Sequence, residues 1–122
     1  MGTMALTAAN VLAEPDALGI KVVIGKVTGS ASYATGGDTI PDLSTAGNLG
    51  QAQGFTKVFG IVFCGNETAA DDQFLCTYVP TAAHSPTAGK VKIRDVTAAA
   101  DAEVAATTDL SARTFRFLII GV

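Results

Sequence analysis

Apolar side chains fall along this chain in short alternating runs, separated by clusters of Gly, Thr, Asn, Asp and Pro. In Ile20-Lys-Val-Val-Ile-Gly-Lys-Val27, residues Ile20, Val22 and Ile24 share one side of an extended segment and Lys21 takes the other. That period of two marks a half-buried strand, and Gly25 within it predicts a bulge or a close backbone approach. The run Phe55 to Cys64 is apolar on both sides, with Phe55, Phe59, Ile61 and Phe63 in the bulkier row and Val58, Val62 and Cys64 opposite. Lys57 interrupts the bulky row near its start, where a long stem can reach a sheet end. The pattern predicts a central strand. The polar stretch 65–72 then reads as a turn into Gln73 to Val79, so that the two runs form an antiparallel hairpin with Phe74, Cys76 and Tyr78 along one side.

Lys90-Val-Lys-Ile-Arg-Asp95 alternates charge and aliphatic, which predicts a strand with one solvent-facing side. An Ala-rich loop or helical turn over 95–101 and a short segment about Glu103 and Val104 precede the last run, Arg113 to Ile120. There Phe115, Phe117 and Ile119 share one face and Leu118 and Ile120 the other, and both faces need cover from the rest of the fold or from a partner subunit. At least five such strands with almost no helical periodicity predict an all-β fold, an antiparallel β-sandwich or small barrel, with a jelly-roll-like topology among the options. No repeat at a fixed period points to a solenoid or propeller. Residues 1–18 are weakly patterned, and Pro15 disfavours a helix at Glu14. They predict an extended N-terminal arm on a single β domain, 19–122. Leu6, Val11, Leu12 and Leu18 are candidate interface residues on that arm, and Tyr33 is a fifth in the domain.

Composition narrows the function. At 122 residues, one domain with one core is the expectation. Charged residues are 16%, below the roughly 25% of an ordinary soluble domain, while 21 Ala, 15 Thr and 13 Gly supply small side chains suited to flat contacts. Such a surface suits a subunit that buries area in an assembly. A net charge of -3 argues against nucleic-acid binding, which draws on clustered Lys and Arg. No run approaches the roughly 18 apolar residues of a membrane-spanning helix. The first residues lack the basic and long apolar regions of a signal peptide, so the chain reads as made and used without export.

Chemistry-bearing residues are few and scattered. His84, the sole histidine, sits beside Ser85 in the turn-like stretch 81–87 and reads as a solvated loop residue, not as part of a triad. One His and two Cys match no zinc spacing, and Asp71 and Asp72 lack the ordered spacing of a calcium loop. Gly36-Gly37-Asp38 lacks the lysine and helix start of a phosphate loop and reads as a structural turn. In the predicted hairpin Cys64 stands opposite Cys76. A cross-strand disulfide is geometrically open there, and two buried free thiols are the expectation in a reducing compartment. No enzyme, cofactor or metal site follows from this inventory. With Trp absent, only Tyr33 and Tyr78 are left to build the aromatic platform of a carbohydrate-binding sandwich.

The run Gly29-Ser-Ala-Ser-Tyr33-Ala-Thr-Gly-Gly-Asp38-Thr39 resembles a pattern of small structural proteins of tailed bacteriophages: a strand, an aromatic residue, Thr-Gly-Gly and an acid. The ending is similar too, with Glu103-Val104, a Thr108-Asp-Leu-Ser111 turn and a last strand, Arg116-Phe-Leu-Ile-Ile-Gly121, that closes on glycine. Lys90-Val-Lys92 takes the place of a late charged strand, and the resemblance spans about Gly19 to Val122. It implies a head decoration, or cement, protein: a non-enzymatic all-β subunit, made in the host cytoplasm, on the outer surface of an icosahedral phage capsid. The implied partners are the major capsid protein and other copies of itself, as a homotrimer or dimer, with no cofactor, nucleic acid or membrane. The implied mechanism is bridging of capsid subunits by many modest contacts, with the arm ordering on binding. Other virion parts, such as a head-fibre or tail adaptor, fit the same pattern.

Overall fold

The computed structural model describes residues 11–13, 16–17, 19–45, 54–66, 73–97 and 102–122, with the backbone alone for 11–13, 16–17 and 66. All regular structure among them is strand: β1 (Val11–Ala13), β2 (Asp16–Ala17), β3 (Ile20–Thr28), β4 (Asp38–Thr39), β5 (Val58–Asn66), β6 (Phe74–Pro80), β7 (Gly89–Asp95), β8 (Ala102–Glu103) and β9 (Thr114–Gly121). Two antiparallel sheets result. The first runs β1-β3-β9-β5, with β2 also on β3; the second runs β4-β7-β6, with β8 also on β7.

The two sheets share one core, to which β3, β9, β6 and β7 turn every second side chain. The first sheet contributes Val23 and Val27 from β3, Phe115, Phe117 and Ile119 from β9, and Val58 from β5; the second contributes Phe74, Cys76, Val91 and Ile93. Full burial of such side chains is worth about 1.5–3 kcal/mol each. The final run therefore has the faces its pattern predicts, with Phe115, Phe117 and Ile119 inward. Val91 and Ile93 alternate inward against outward Lys90, Lys92 and Arg94 as well.

Three expectations are corrected. In β3 the phase is inverted: Val23 (0% exposed) and Val27 (5%) face the core, while Ile20, Val22 and Ile24 lie on the other side. Lys21 is the reason the pattern misleads. It points coreward at the sheet's end, where its Nζ donates to the Gly54 carbonyl at 2.6 Å and lies 6.0 Å from the Phe55 ring centroid. A lysine with its stem along the core margin and its head at the rim looks, in sequence, like an outward residue.

The predicted hairpin does not form. β5 pairs with β9, from Val58↔Gly121 to Asn66↔Phe115, and β6 pairs with β7, from Phe74↔Asp95 to Pro80↔Gly89. The connection between β5 and β6 therefore passes from one sheet to the other, for which a polar turn sequence serves as well as for a hairpin. Cys64 and Cys76 are consequently not partners: both are free, Cys64 exposed and Cys76 buried. The third correction is that β5 ends the strand order of its sheet and is not central. Register shifts between Val58 and Gly60 and between Phe63 and Gly65 break its alternation. The first leaves Val58 2% and Phe59 51% exposed, so Phe59 leaves the row predicted for it.

Part of the predicted arm is sheet. The backbone of β1 pairs with β3 at Val11↔Gly25 and Ala13↔Ile24, and β2 pairs at Asp16↔Lys21 and Ala17↔Ile20. Leu6 and Leu18 lie outside the described residues, as do Asp71 and Asp72, and so do the side chains of Val11 and Leu12.

Candidate functional site

Tyr33 has 1% of its surface exposed, so this candidate for contact with a neighbour points into its own chain. On one side of β7, β4 pairs at Lys90 and Val91 and β8 pairs at Arg94 and Asp95. Between those two short strands, the Ile93 carbonyl accepts from the Val104 amide at 2.9 Å, and the Ile93 amide donates to the Tyr33 hydroxyl at 3.1 Å. The hydroxyl in turn donates to Glu103 Oε1 at 2.8 Å, and the Gly36 amide donates to the same oxygen at 2.6 Å. Tyr33 thus fills a one-residue break in the sheet's hydrogen bonding. Burial, helped by the Glu103 carboxylate, pushes its phenol far above the ordinary range. The Tyr33 hydroxyl, with the Gly36 amide and nearby Lys92, holds Glu103 below the usual carboxylate range.

Asp38, at 0% exposure, organises the same loop from within. Its Oδ2 accepts from the Ser30 hydroxyl at 2.6 Å and its Oδ1 from the Ala34 amide at 2.9 Å. Gly36 and Gly37 have φ of 91° and 114°, and the Gly37 amide closes a turn on the Ala34 carbonyl at 2.9 Å. Gly36-Gly37-Asp38 is therefore turn geometry. The segment 29–33 is laced to 107–113 by Gly29 N to Arg113 O, Tyr33 N to Thr108 O, Thr107 N to Tyr33 O and Leu110 N to Ser30 O. The stretches 29–39 and 103–113 meet in this one lock, although Tyr33 and Glu103 are 70 residues apart.

The Asp-Leu-Ser turn noted at 109–111 has a second copy at 42–44 that supports the same lock. Asp42-Leu43-Ser44 and Asp109-Leu110-Ser111 build the same turn, in which the carboxylate accepts from the amide and the hydroxyl of the serine two residues on. The leucine between them enters the core, 1% exposed in each case. These bonds hold both carboxylates below their usual range. The tripeptide Asp-Leu-Ser, read twice, was the available signal.

The other singled-out residues are used structurally. His84 is exposed at φ 55°, its carbonyl accepts from the Val58 amide at 3.0 Å, and its ring meets Phe59 edge-on at 5.9 Å. Ser85 turns its hydroxyl to the Thr87 and Ala88 amides, at 3.2 and 3.1 Å. Among the described residues, no group of three or more His, Cys, Asp and Glu is placed to hold a metal ion, and no helix is long and apolar enough to cross a membrane.

What the first sheet does present is a second apolar face, away from the core. Register aligns Ile24, Leu118 and Val62 in one row and Val22, Ile120 and Gly60 in the next. Val62 is 56% exposed and Ile120 36%, and Phe59 stands beside them at the first bulge of β5. Lys26 and Arg116 form the following row and bound the patch with charge. An outward sheet face ordinarily alternates to polar residues; this one does not. Comparison with protein-family models, with curated proteins and with solved structures returns no match.

Proposed function

We propose that this protein is a non-enzymatic virion subunit, a decoration or cement protein that binds the outside of an icosahedral phage capsid and stabilises it by bridging shell subunits. The observation that carries the reading is the outward apolar face of the first sheet, where Ile24, Leu118, Val62, Ile120 and Phe59 stand together on strands whose other face already fills the core. Exposed apolar area of this kind marks an interaction surface. The resemblance of 29–39 and of 103–121 to tailed-phage structural proteins supplies the virion context. Self-association into a trimer or dimer and attachment to the major capsid protein both draw on such a face, and neither calls for a cofactor.

The reading is tested by asking whether the chain co-purifies with assembled virions, and in what ratio to the main shell protein. A fixed ratio is expected. Val62→Glu combined with Phe59→Ser should lower occupancy while leaving the thermal transition within a few degrees, because both side chains are already half exposed. A monomer absent from virions, or full occupancy by the double variant, overturns the proposal.

A further inference from the structure

The outer face of the second sheet is built differently. β7 turns Lys90, Lys92 and Arg94 outward at every second residue while Val91 and Ile93 point to the core. On the neighbouring strand β6, register places Val79 beside Lys90, Thr77 beside Lys92 and Leu75 beside Arg94. On the other side, Thr39 stands opposite Lys90 and Glu103 opposite Arg94. Three cations thus form a line about 13 Å long, from the rise per residue of a strand, flanked by Val79 and by Leu75, which is 53% exposed.

Lysines on an edge strand commonly block edge-to-edge pairing. That explanation fails here, because β7 is paired on both sides, by β6 along its length and by β4 and β8 at its ends. The three cations also outnumber the carboxylates among the described strand residues of this face, where Glu103 stands opposite Arg94. Asp38 is buried and held by Ser30 and Ala34, and Glu103 is the one carboxylate among the described strand residues of this face. Of the 8 Lys and Arg in the chain, three stand in this row; the other 5 set against 11 Asp and Glu leave -6 everywhere else.

We infer that this face docks on an acidic protein surface, with Lys90, Lys92 and Arg94 meeting carboxylates and Leu75 and Val79 meeting apolar side chains beside them. A protein surface supplies both complements. A nucleic acid supplies only the charge, continues it past the row into a region of like sign, and offers nothing to Leu75 and Val79. In the capsid reading, on which the identity of the partner rests, this face adds a charged contact with the shell to the apolar contacts of the first sheet.

The test uses the full chain and poly-L-glutamate as the acidic polypeptide, so its outcome does not depend on the capsid reading. Saturable binding is expected at low salt, weakening about tenfold or more between roughly 20 and 300 mM salt as the row is screened. Lys90→Gln with Lys92→Gln should weaken it about tenfold or more, whereas Lys26→Gln with Arg116→Gln, on the other sheet, should change it less than about twofold. If the first pair lowers the thermal transition, Arg94→Gln alone serves in its place. Absence of binding, equal effects of the two pairs, or tighter binding of a DNA duplex of the same charge overturns the inference. Unchanged capsid occupancy by Lys90→Gln with Lys92→Gln would also overturn it, and would leave the capsid reading standing.

Discussion

Replacing Tyr33 with Phe removes one oxygen and keeps the ring, so its cost isolates the hydroxyl that bridges the break beside β7. That oxygen accepts from the Ile93 amide at 3.1 Å and donates to Glu103 at 2.8 Å. Ile93 is 0% exposed, and a buried amide left without its acceptor costs about 1–3 kcal/mol. The bond to Glu103 adds about 1 kcal/mol, taken low because this carboxylate lies near the surface and regains water. The sum is roughly 2–4 kcal/mol. With an unfolding entropy of about 2.1 cal/mol/K per residue over 122 residues, the midpoint should fall by about 8–16 °C. Scanning calorimetry reads this directly, and urea unfolding followed by circular dichroism gives the free energy independently. A double-mutant cycle with Glu103→Ala should show coupling above about 0.5 kcal/mol. A fall under about 3 °C, or no coupling, would mean that the Ile93 amide finds another acceptor and that Tyr33 does not hold the sheet together.

Glu103 is depressed in the folded state by Tyr33 and Gly36, so it adds stability above its unfolded value near 4.5 that disappears as pH falls through the folded value; acid titration of wild type and Tyr33→Phe should show a weaker dependence in the variant. The two thiols should separate cleanly, since burial pushes Cys76 up to about 12 while Cys64 is exposed: a thiol reagent near pH 8 should modify Cys64 at once and Cys76 only after denaturant is added. Gly37→Ala should destabilise by about 1–3 kcal/mol, because φ is 114° and a Cβ would stand 2.9 Å from the Val91 carbonyl oxygen, whereas Gly60→Ala, with open space around it, should be nearly neutral by the same urea unfolding.

Strands were legible in this sequence because they are written residue by residue; their pairing was not. The Lys90 to Asp95 run announces its inward face, since its other face is charged, and the last run announces its division into two faces, Phe115, Phe117 and Ile119 against Leu118 and Ile120, though not which of them fills the core. β3 and β5 are apolar on both faces, so alternation leaves their phase open, and a coreward Lys21 and a bulge at Phe59 then tip the reading the wrong way. The stretch 65–72 has the composition of a turn, but composition does not distinguish a hairpin from a passage between sheets. Tyr33 stood out as an aromatic residue beside Thr-Gly-Gly. Its partners are Ile93 and Glu103, 60 and 70 residues away, and no local pattern encodes such a distance. The outward apolar face was half legible: both faces of the last run were seen to need cover, yet the row that joins Ile24 to Val62 exists only once β9 lies between them.

That last point bears on how the molecule is made. β9 lies between β3 and β5 in the first sheet but is synthesised after both. The sheet therefore closes by inserting a late strand between two early ones, across a separation that makes folding slow relative to helical proteins of this size. At about 5–20 residues per second, the ribosome takes roughly 2–10 s between finishing β5 and starting β9. Through that interval Ile24 and Val62 lack their Leu118 neighbour, and both flanking edges are open to chance pairing, which makes the nascent chain a natural client for chaperones. The apolar patch and the closed sheet come into being in one event, so an unfinished chain has no docking surface with which to compete for a partner.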